Sequence, residues 1–352
     1  MEHISFEVKE KLHRSAVWDF YFSGRSVGVL DIETTGLDRA RNHFILGGLL
    51  DLTTGIFHQV FAENTSEEAE ALKLYMELIR GLDVVVTYNG RHFDLPFLEE
   101  RLRRSGLAGG GDHAGLSDPS HDGGVQDLSY GGYDLDLYQV VNGHSPLRRL
   151  LPNLRQKTVE TYLGLWTDRS DEISGAESVE LYARFERTGD PQARQQILLH
   201  NSDDVLQLTR LVRVMDKCDF HRAMFHMGFP AGSPRRRWQI RKIRLEKDLL
   251  RVEGIQGNRD QALDYRGFAL GSFPLQTHFD AKAGRFRMDI PILRQSGLAA
   301  VDLEAAGLRE ESFEKYPGSG SGFLVLQQQN DVQYREVDHL IREMVDRFEE
   351  NL

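Results

Sequence analysis

The chain has 352 residues, enough for roughly two domains, and its 40% hydrophobic content excludes an intrinsically disordered chain. One cysteine, Cys218, excludes an internal disulfide framework and a cysteine-based zinc site. A net charge of −11 excludes unspecific wrapping of nucleic acid and leaves room for a local basic groove.

No apolar run of about 18 residues occurs and residues 1–5 open no apolar leader, so a cytoplasmic protein with no membrane partner is expected. Residues 1–25 are a polar and aromatic lead (Trp18, Phe20, Tyr21, Phe22) expected to cover one edge of the core. Val27-Gly28-Val29-Leu30 enters a strand that ends at Glu33. Apolar runs at 44–52 and 56–61, split by Thr53-Thr54-Gly55, read as a hairpin, so the first three strands form a meander. Thr65-Ser66-Glu67-Glu68 reads as a capping-box start for a helix to Arg80. Leu72, Tyr75, Met76 and Ile79 share one face of it, and Gly81 takes the stop position. Val84-Val85-Val86, apolar throughout, fits a strand buried on both faces, as in a parallel sheet. Thr87-Tyr88-Asn89-Gly90 is a turn signal, and a helix begins near Leu95 with Pro96 in its first turn.

Residues 105–132, rich in Gly, Ser, Asp and His, read as an inserted surface or disordered loop. His113 and His121 within it read as solvated rather than metal-binding. Asp134-Leu135-Asp136-Leu137 reads as a last strand entering a helix, with its two acids at a strand edge, at a helix cap, or behind the site. Residues 147–215 are mostly helical, broken near 166–175 and 188–191. The last helix carries Ile197, Leu198, Val205, Leu208 and Val212 at helical spacing. This order predicts an α/β domain over 1–217, a mixed sheet flanked by helices. Composition shifts at Gly232-Ser233-Pro234, and 218–245 reads as a basic linker. Strands at 249–255, 273–279 and 285–293, a hairpin loop at 280–284, a Gly/Ser linker at 317–322 and a helix at 333–348 predict a small β-rich domain over 246–352.

Alternate side chains of a strand share a face, so Asp31 and Glu33 point the same way. Like charges at that spacing repel, and a hard divalent cation is the natural counterion for oxygen ligands alone. Asp94 follows a strand of the same sheet, just before a helix. His200 and Asp204, four apart, lie on one helix face. Asp31, Glu33, Asp94 and Asp204, with His200 one turn away, can hold two Mg²⁺ or Mn²⁺ ions at a phosphodiester. Asp203 competes for the fourth ligand position. It lies about 100° further round the helix, and stacking with His200 favours Asp204.

The stretches Asp31-Ile32-Glu33-Thr34-Thr35-Gly36, Asn89 to Asp94 (N-x₃-F-D) and His200 to Asp204 resemble, in order, the three motifs of the DEDD exonucleases. The chain as a whole resembles the YprB-like bacterial family of ribonuclease H-like proteins. The resemblance implies a ribonuclease H-like fold and a 3′→5′ exonuclease. Asp31, Glu33, Asp94 and Asp204 would be its metal ligands, and His200 its general base or the residue that orients the water. Thr34, Asn89 and Phe93 would line the 3′-terminal nucleotide. It further implies DNA, or RNA, as substrate and, from some members, work beside a superfamily 2 helicase in DNA repair. The third motif departs from the family. The tyrosine subclass has Y-x₃-D and the histidine subclass H-x₄-D, whereas here a histidine stands at the tyrosine spacing.

Arg235, Arg236, Arg237 and Trp238 open a run to Lys247 with seven Arg or Lys residues against one acid, Glu246. It reads either as a phosphate-binding segment with Trp238 stacking on a base or as a solvated linker. Arg148, Arg149, Arg155 and Lys157 form a second candidate phosphate-contacting set. Three classes of function fit these residues. The first is a DNA exonuclease. The second is an RNA exonuclease or structure-specific endonuclease using the same carboxylates. The third is a catalytically weak nucleic-acid-binding scaffold for a helicase.

Overall fold

The computed structural model describes residues 1–9, 11–108, 130–165, 173–256, 276–280 and 284–350. The chain divides into two compact units, 1–218 and 219–352.

The first unit is built on a six-stranded sheet: β1 (Glu2–Glu7), β2 (Val27–Thr34), β3 (Phe44–Asp51), β4 (Ile56–Phe61), β5 (Val84–Thr87) and β6 (Tyr133–Asp136). Their spatial order is β1-β4-β3-β2-β5-β6. β2, β3 and β4 pair antiparallel as the expected meander, and β5 and β6 add in parallel beside β2. The lead expected to cover an edge of the core opens with a strand: β1 runs antiparallel along β4 at the edge of the sheet, with Glu2 opposite Phe61. Its alternation His3-Ile4-Ser5-Phe6 is that of a half-exposed edge strand. The aromatic cover is confined to α1 (Ala16–Phe22), where Trp18, Tyr21 and Phe22 are buried.

The helices of this unit are α2 (Glu68–Arg80), α3 (Asp94–Arg104), α4 (Leu137–His144), α5 (Leu147–Leu150), α6 (Gln156–Tyr162), α7 (Gly175–Thr188) and α8 (Pro191–Leu211). Leu30 and Ile32 of β2 join Leu72, Tyr75, Met76 and Ile79 of α2 and Phe97 and Leu98 of α3 in one core. Strand alternation therefore turns Asp31 and Glu33 to the opposite face. There α8 packs on β2 and β3, and Ile197 joins Ile45, Leu46, Phe61 and Tyr182 in a second core. This is the mixed α/β architecture, a sheet flanked by helices, that the resemblance implies.

Three local expectations are corrected. The start of α2 is not a capping box: the Asn64 side chain accepts the Ser66 N–H and opens a 3₁₀ turn, Thr65–Glu67, that leads into the helix. Gly81 stays right-handed (φ −68°), because a bond from the Leu82 N–H to the Ile79 carbonyl closes the turn and buries Leu82. The loop at 105–132 is entered later than expected, since Leu107, Ala108 and Tyr130 pack against the core. His113 and His121 lie outside the described residues.

The second unit contains α9 (Phe220–Met227), β7 (Phe229–Ala231), β8 (Trp238–Leu245), β9 (Leu249–Gln256), β10 (Gln276–Asp280), β11 (Arg285–Pro291), β12 (Leu293–Gln295), β13 (Leu298–Asp302), β14 (Phe323–Gln328), β15 (Asp331–Val332) and α10 (Tyr334–Glu350). They form a five-stranded sheet, β10-β11-β9-β8-β7, and a four-stranded one, β12-β13-β14-β15. α10 buries Val337, Leu340, Ile341, Met344, Val345 and Phe348 along one stripe. The segment read as a basic linker is therefore largely structured. In β8, Trp238, Ile240 and Ile243 are buried while Arg241, Lys242 and Arg244 are exposed. The strand is buried on both faces over Trp238–Ile240, and past the register shift that follows Ile240 its charges face solvent. The Gly/Ser stretch at 317–322 is likewise no linker but a 3₁₀ turn, Ser319–Ser321, flanked by left-handed Gly318 and Gly322. The strand expected at 285–293 breaks at Ile292, whose N–H is drawn to the Asp248 carbonyl. Residues 273–275 and 281–283 of the expected strand and hairpin loop lie outside the described residues. Among the described residues no helix is long and apolar enough to cross a membrane.

Candidate metal centre

β2 outruns β5. Their last parallel pair is Val29 with Val86, so the end of β2 projects past its neighbour with its polar groups available. Asp94, in the first turn of α3, uses that gap: its Oδ1 accepts the Ile32 N–H at 3.2 Å. Asp31 is half-buried, whereas Glu33 and Asp94 are buried. The Asp31 and Glu33 side chains meet α8 on the face of the sheet where that helix packs. His200 Nε2 lies 3.7 Å from Glu33 Oε1 and 3.6 Å from Asp204 Oδ2. The ligand atoms of Glu33, His200 and Asp204 all lie within 4.8 Å of one another.

The charge balance of this cluster is unfavourable without a cation. Burial pushes the Asp31 carboxyl well above the usual carboxylate range, and repulsion from Asp204, Asp94 and Glu33 adds to it. A hydrogen bond from Asn201 opposes both. Burial likewise raises Asp94 to about 7, against hydrogen bonds from its own N–H and that of Ile32, with Asp134 and Asp136 adding repulsion. Among the described residues neither Asp31 nor Asp94 forms an ion pair with Lys or Arg. Buried carboxylates that repel one another and converge on oxygen and imidazole donors fit a divalent cation.

Asn201, which the motif comparison passes over, fixes this arrangement. Its Nδ2 donates to the Asp31 carbonyl (3.1 Å) and to Asp31 Oδ2 (3.2 Å), and its Oδ1 accepts from Gln59 Nε2. The room for it comes from Gly48, opposite Asp31 in the ladder: a Cβ there would stand 2.1 Å from Asn201 Oδ1. Gly47 makes equal room for the Tyr75 ring, and the Tyr75 hydroxyl donates to the Gly48 carbonyl. Two adjacent glycines inside a strand are the sequence signal of such close approach.

The motif around Asp94 is held from β6. Asn89 is left-handed (φ 69°), and its N–H donates to Asp136 Oδ1 at 2.8 Å. The same oxygen caps α4 through the Tyr138 and Gln139 N–H groups. Thr87 Oγ1 donates to Asp134 Oδ1 at 2.7 Å, and a Cβ on Gly90 would strike Thr87. Burial raises the Asp136 carboxyl against these backbone donors. Asp134 and Asp136 thus stand behind the site, supporting the turn.

The other expected residues are placed as follows. Thr34 is buried at a register shift that follows Glu33, and its hydroxyl donates to the Gly36 carbonyl. Phe93 packs against the core and stands 5.6 Å from the Phe97 ring. Leu37, Arg39, His92 and Phe93 border a cleft of about 340 Å³. Asp203 is buried, one position from Asp204, and is not part of the Glu33–His200–Asp204 group. Arg235, Arg236 and Arg237 lie ahead of β8 in the second unit. Trp238 is 1% exposed, edge-on to Phe286 and Phe348, which corrects its expected role in stacking on a base. Lys157 Nζ is spent on the Ile173 carbonyl.

Among solved structures, the chain is similar to a family B DNA polymerase from the hyperthermophilic archaeon Pyrobaculum calidifontis, at 21% identity and a TM-score of 0.41. The match covers 54% of this chain and 24% of the polymerase, so the chain spans about a quarter of that protein. It is also similar to a moderately thermophilic Exonuclease I from Methylocaldum szegediense, at 13% identity and a TM-score of 0.31, over 92% of this chain and 70% of that one. No curated protein matches. Residues 29–216, more than half of the chain, match the family model of the RNase H superfamily, and the chain belongs to that superfamily.

Proposed function

We propose that this chain is a metal-dependent 3′→5′ exonuclease that hydrolyses phosphodiester bonds in DNA. The observation that carries the reading is the convergence of Glu33, His200 and Asp204 beside Asp31 and Asp94 at the projecting end of β2. Membership of the RNase H superfamily supports it.

Asp31, Glu33, Asp94 and Asp204 would hold two Mg²⁺ or Mn²⁺ ions, which supply Lewis-acid activation of the attacking water and stabilisation of the departing 3′-oxygen. His200 takes the proton of that water or orients it. The positive charge it gains on doing so lies beside two carboxylate oxygens, Glu33 Oε1 and Asp204 Oδ2. Asn201 fixes the Asp31 carboxylate, and Asp94 locks its own turn to the β2 backbone. Thr34, Asn89 and Phe93 bound the space for the terminal nucleotide. In keeping with the YprB-like resemblance, the substrate end in the cytoplasm would be one opened by a superfamily 2 helicase during DNA repair.

The test is digestion of 3′- and 5′-labelled single- and double-stranded DNA and RNA with Mg²⁺ or Mn²⁺. Stepwise nucleotide release from the 3′ end of DNA is expected, and none in EDTA. Release from RNA alone would move the substrate assignment. Equal digestion by Asp94→Asn would end the site assignment.

A further inference from the structure

A second cleft, of about 650 Å³, adjoins the proposed catalytic turn. Tyr88, Asn89, Tyr138, Arg148, Arg155 and Gln156 border it. Two of these connect it to the metal centre. Asn89 belongs to the turn that delivers Asp94. Gln156 Nε2 donates to the Asp204 carbonyl at 3.0 Å, joining the wall of the cleft to the helix that carries His200.

The walls are fixed. The Tyr88 hydroxyl donates to the Leu154 carbonyl at 2.6 Å, and its ring meets that of Tyr138 edge-on at 5.9 Å. Arg148 and Arg155 are exposed, and among the described residues neither has a carboxylate within ion-pair distance. In a chain of net charge −11, two guanidinium groups without acidic partners on one aromatic-walled cleft are a local reversal of sign. The volume is that of a site for one small ligand, room for a nucleotide of a single strand and not for a duplex. Guanidinium groups beside aromatic faces are the recurring means of holding single-stranded nucleic acid without reading its sequence.

We propose that this cleft holds the single strand next to the phosphodiester being cut, with Arg148 and Arg155 on its phosphates and the Tyr88–Tyr138 wall against a base. The proposal rests on the nuclease reading for its purpose, but its test does not. Arg149 and Lys157 do not border the cleft, so the four-residue basic set resolves into two residues that face it and two that do not.

The experiment is fluorescence anisotropy of 5′-fluorescein-dT₁₂ with the full chain in EDTA, over a range of KCl. The Arg148→Ala/Arg155→Ala variant should bind at least roughly tenfold more weakly. Its log Kd–log salt slope should be shallower by about 0.7 for each phosphate contact removed. Lys73→Glu, on the exposed face of α2, changes net charge by as much and should bind like wild type. The Arg148→Lys/Arg155→Lys variant should recover much of the slope. In Mn²⁺, nucleotide release by the alanine pair should show a raised KM for dT₁₂ with kcat retained. Wild-type affinity and slope in the alanine pair, an equal loss in Lys73→Glu, or no binding of dT₁₂ by wild type would each overturn the proposal. If wild type binds dT₁₂ through these arginines yet releases no nucleotide, the cleft stands and the nuclease reading falls.

Discussion

Two groups of buried acids in the first unit are treated in opposite ways. Glu68, at the start of α2, is 5% exposed, and every one of its lone pairs is addressed. Oε1 accepts from the Phe44 N–H and Arg101 Nε, and Oε2 from Arg101 Nη2 and His43 Nδ1, all within 2.7–2.8 Å. Burial alone would raise this carboxyl, but Arg101, His43 and Phe44 outweigh it and hold it below its ordinary range. Asp31 and Asp94 are raised instead, by burial first and then by nearby carboxylates, Asp204, Asp94 and Glu33 for Asp31 and Asp134 and Asp136 for Asp94. The chain thus neutralises an internal acid fully where the acid ties helices to a loop, and leaves the balance open where β2 projects toward α8. An uncompensated buried charge is too costly to keep for structure alone. The difference supports the proposed cation at the second group.

The comparison breaks first on activity. Asp31→Asn and Asp94→Asn should each lose at least roughly 10³-fold in nucleotide release, about 4 kcal/mol of barrier. Both should melt in EDTA no lower than wild type, because each removes a repelling charge. Glu68→Ala should do the reverse. It strands Arg101 in the core and costs about 3–5 kcal/mol in urea unfolding, with nucleotide release per folded molecule retained. A Glu68 variant as stable as wild type would erase the distinction.

The next effect is on the pH dependence of stability. Asp94 is held near 7 in the folded protein against an ordinary 3.8. Between those values the folded state keeps a proton that the unfolded state has lost. Stability in EDTA is therefore complete below about pH 4 and is lost as pH rises through 7. Asp31, shifted in the same direction, adds to this. Melting temperatures in EDTA should fall from pH 5 to pH 7.5, and Asp94→Asn should flatten that fall. Mn²⁺ should raise the melting temperature more at pH 7.5 than at pH 5.5, because it replaces the protons. A Mn²⁺ effect independent of pH would mean that the ion binds elsewhere.

How much of this the sequence discloses follows from the range of each interaction. The meander, the parallel strands and the carboxylates of the first unit are legible because strand alternation and helical spacing are local. Asn201 is not, since its role depends on Gly48, brought beside it only by the packing of α8 on β3. The Glu68–Arg101 pair is hidden for the same reason, with its partners 33 positions apart. The basic run at 235–247 misleads because a count of charge along the chain says nothing of burial, which is complete over Trp238–Ile240 and absent at Arg241 and Lys242 past a register shift. Trp238, Ile240 and Ile243 point in, and the arginines of β8 point out. Asn64 displaces the expected cap of α2 because its side chain accepts the Ser66 N–H and starts a turn one residue earlier.

The smallest effect concerns the fourth acid. Neighbouring helical residues diverge by about 100°, so Asp203 and Asp204 flank the line of His200, about 60° to one side of it and about 40° to the other. Asp204 Oδ2 is 3.6 Å from His200 Nε2, and its charge repels Asp31, which requires it to look into the cluster. Asp203 is buried along a different line of α8. Asp203→Asn should then keep nucleotide release within about threefold of wild type, under ~1 kcal/mol of barrier, while Asp204→Asn falls with Asp31 and Asp94. Kinetics at saturating Mn²⁺ decide it. If Asp203→Asn loses as much as Asp204→Asn, both acids serve the site and the third motif is not read by the H-x₃-D spacing alone. If only Asp204→Asn fails, a histidine at the tyrosine spacing serves because the i, i+4 relation, rather than the identity of the aromatic ring, sets where the proton acceptor stands.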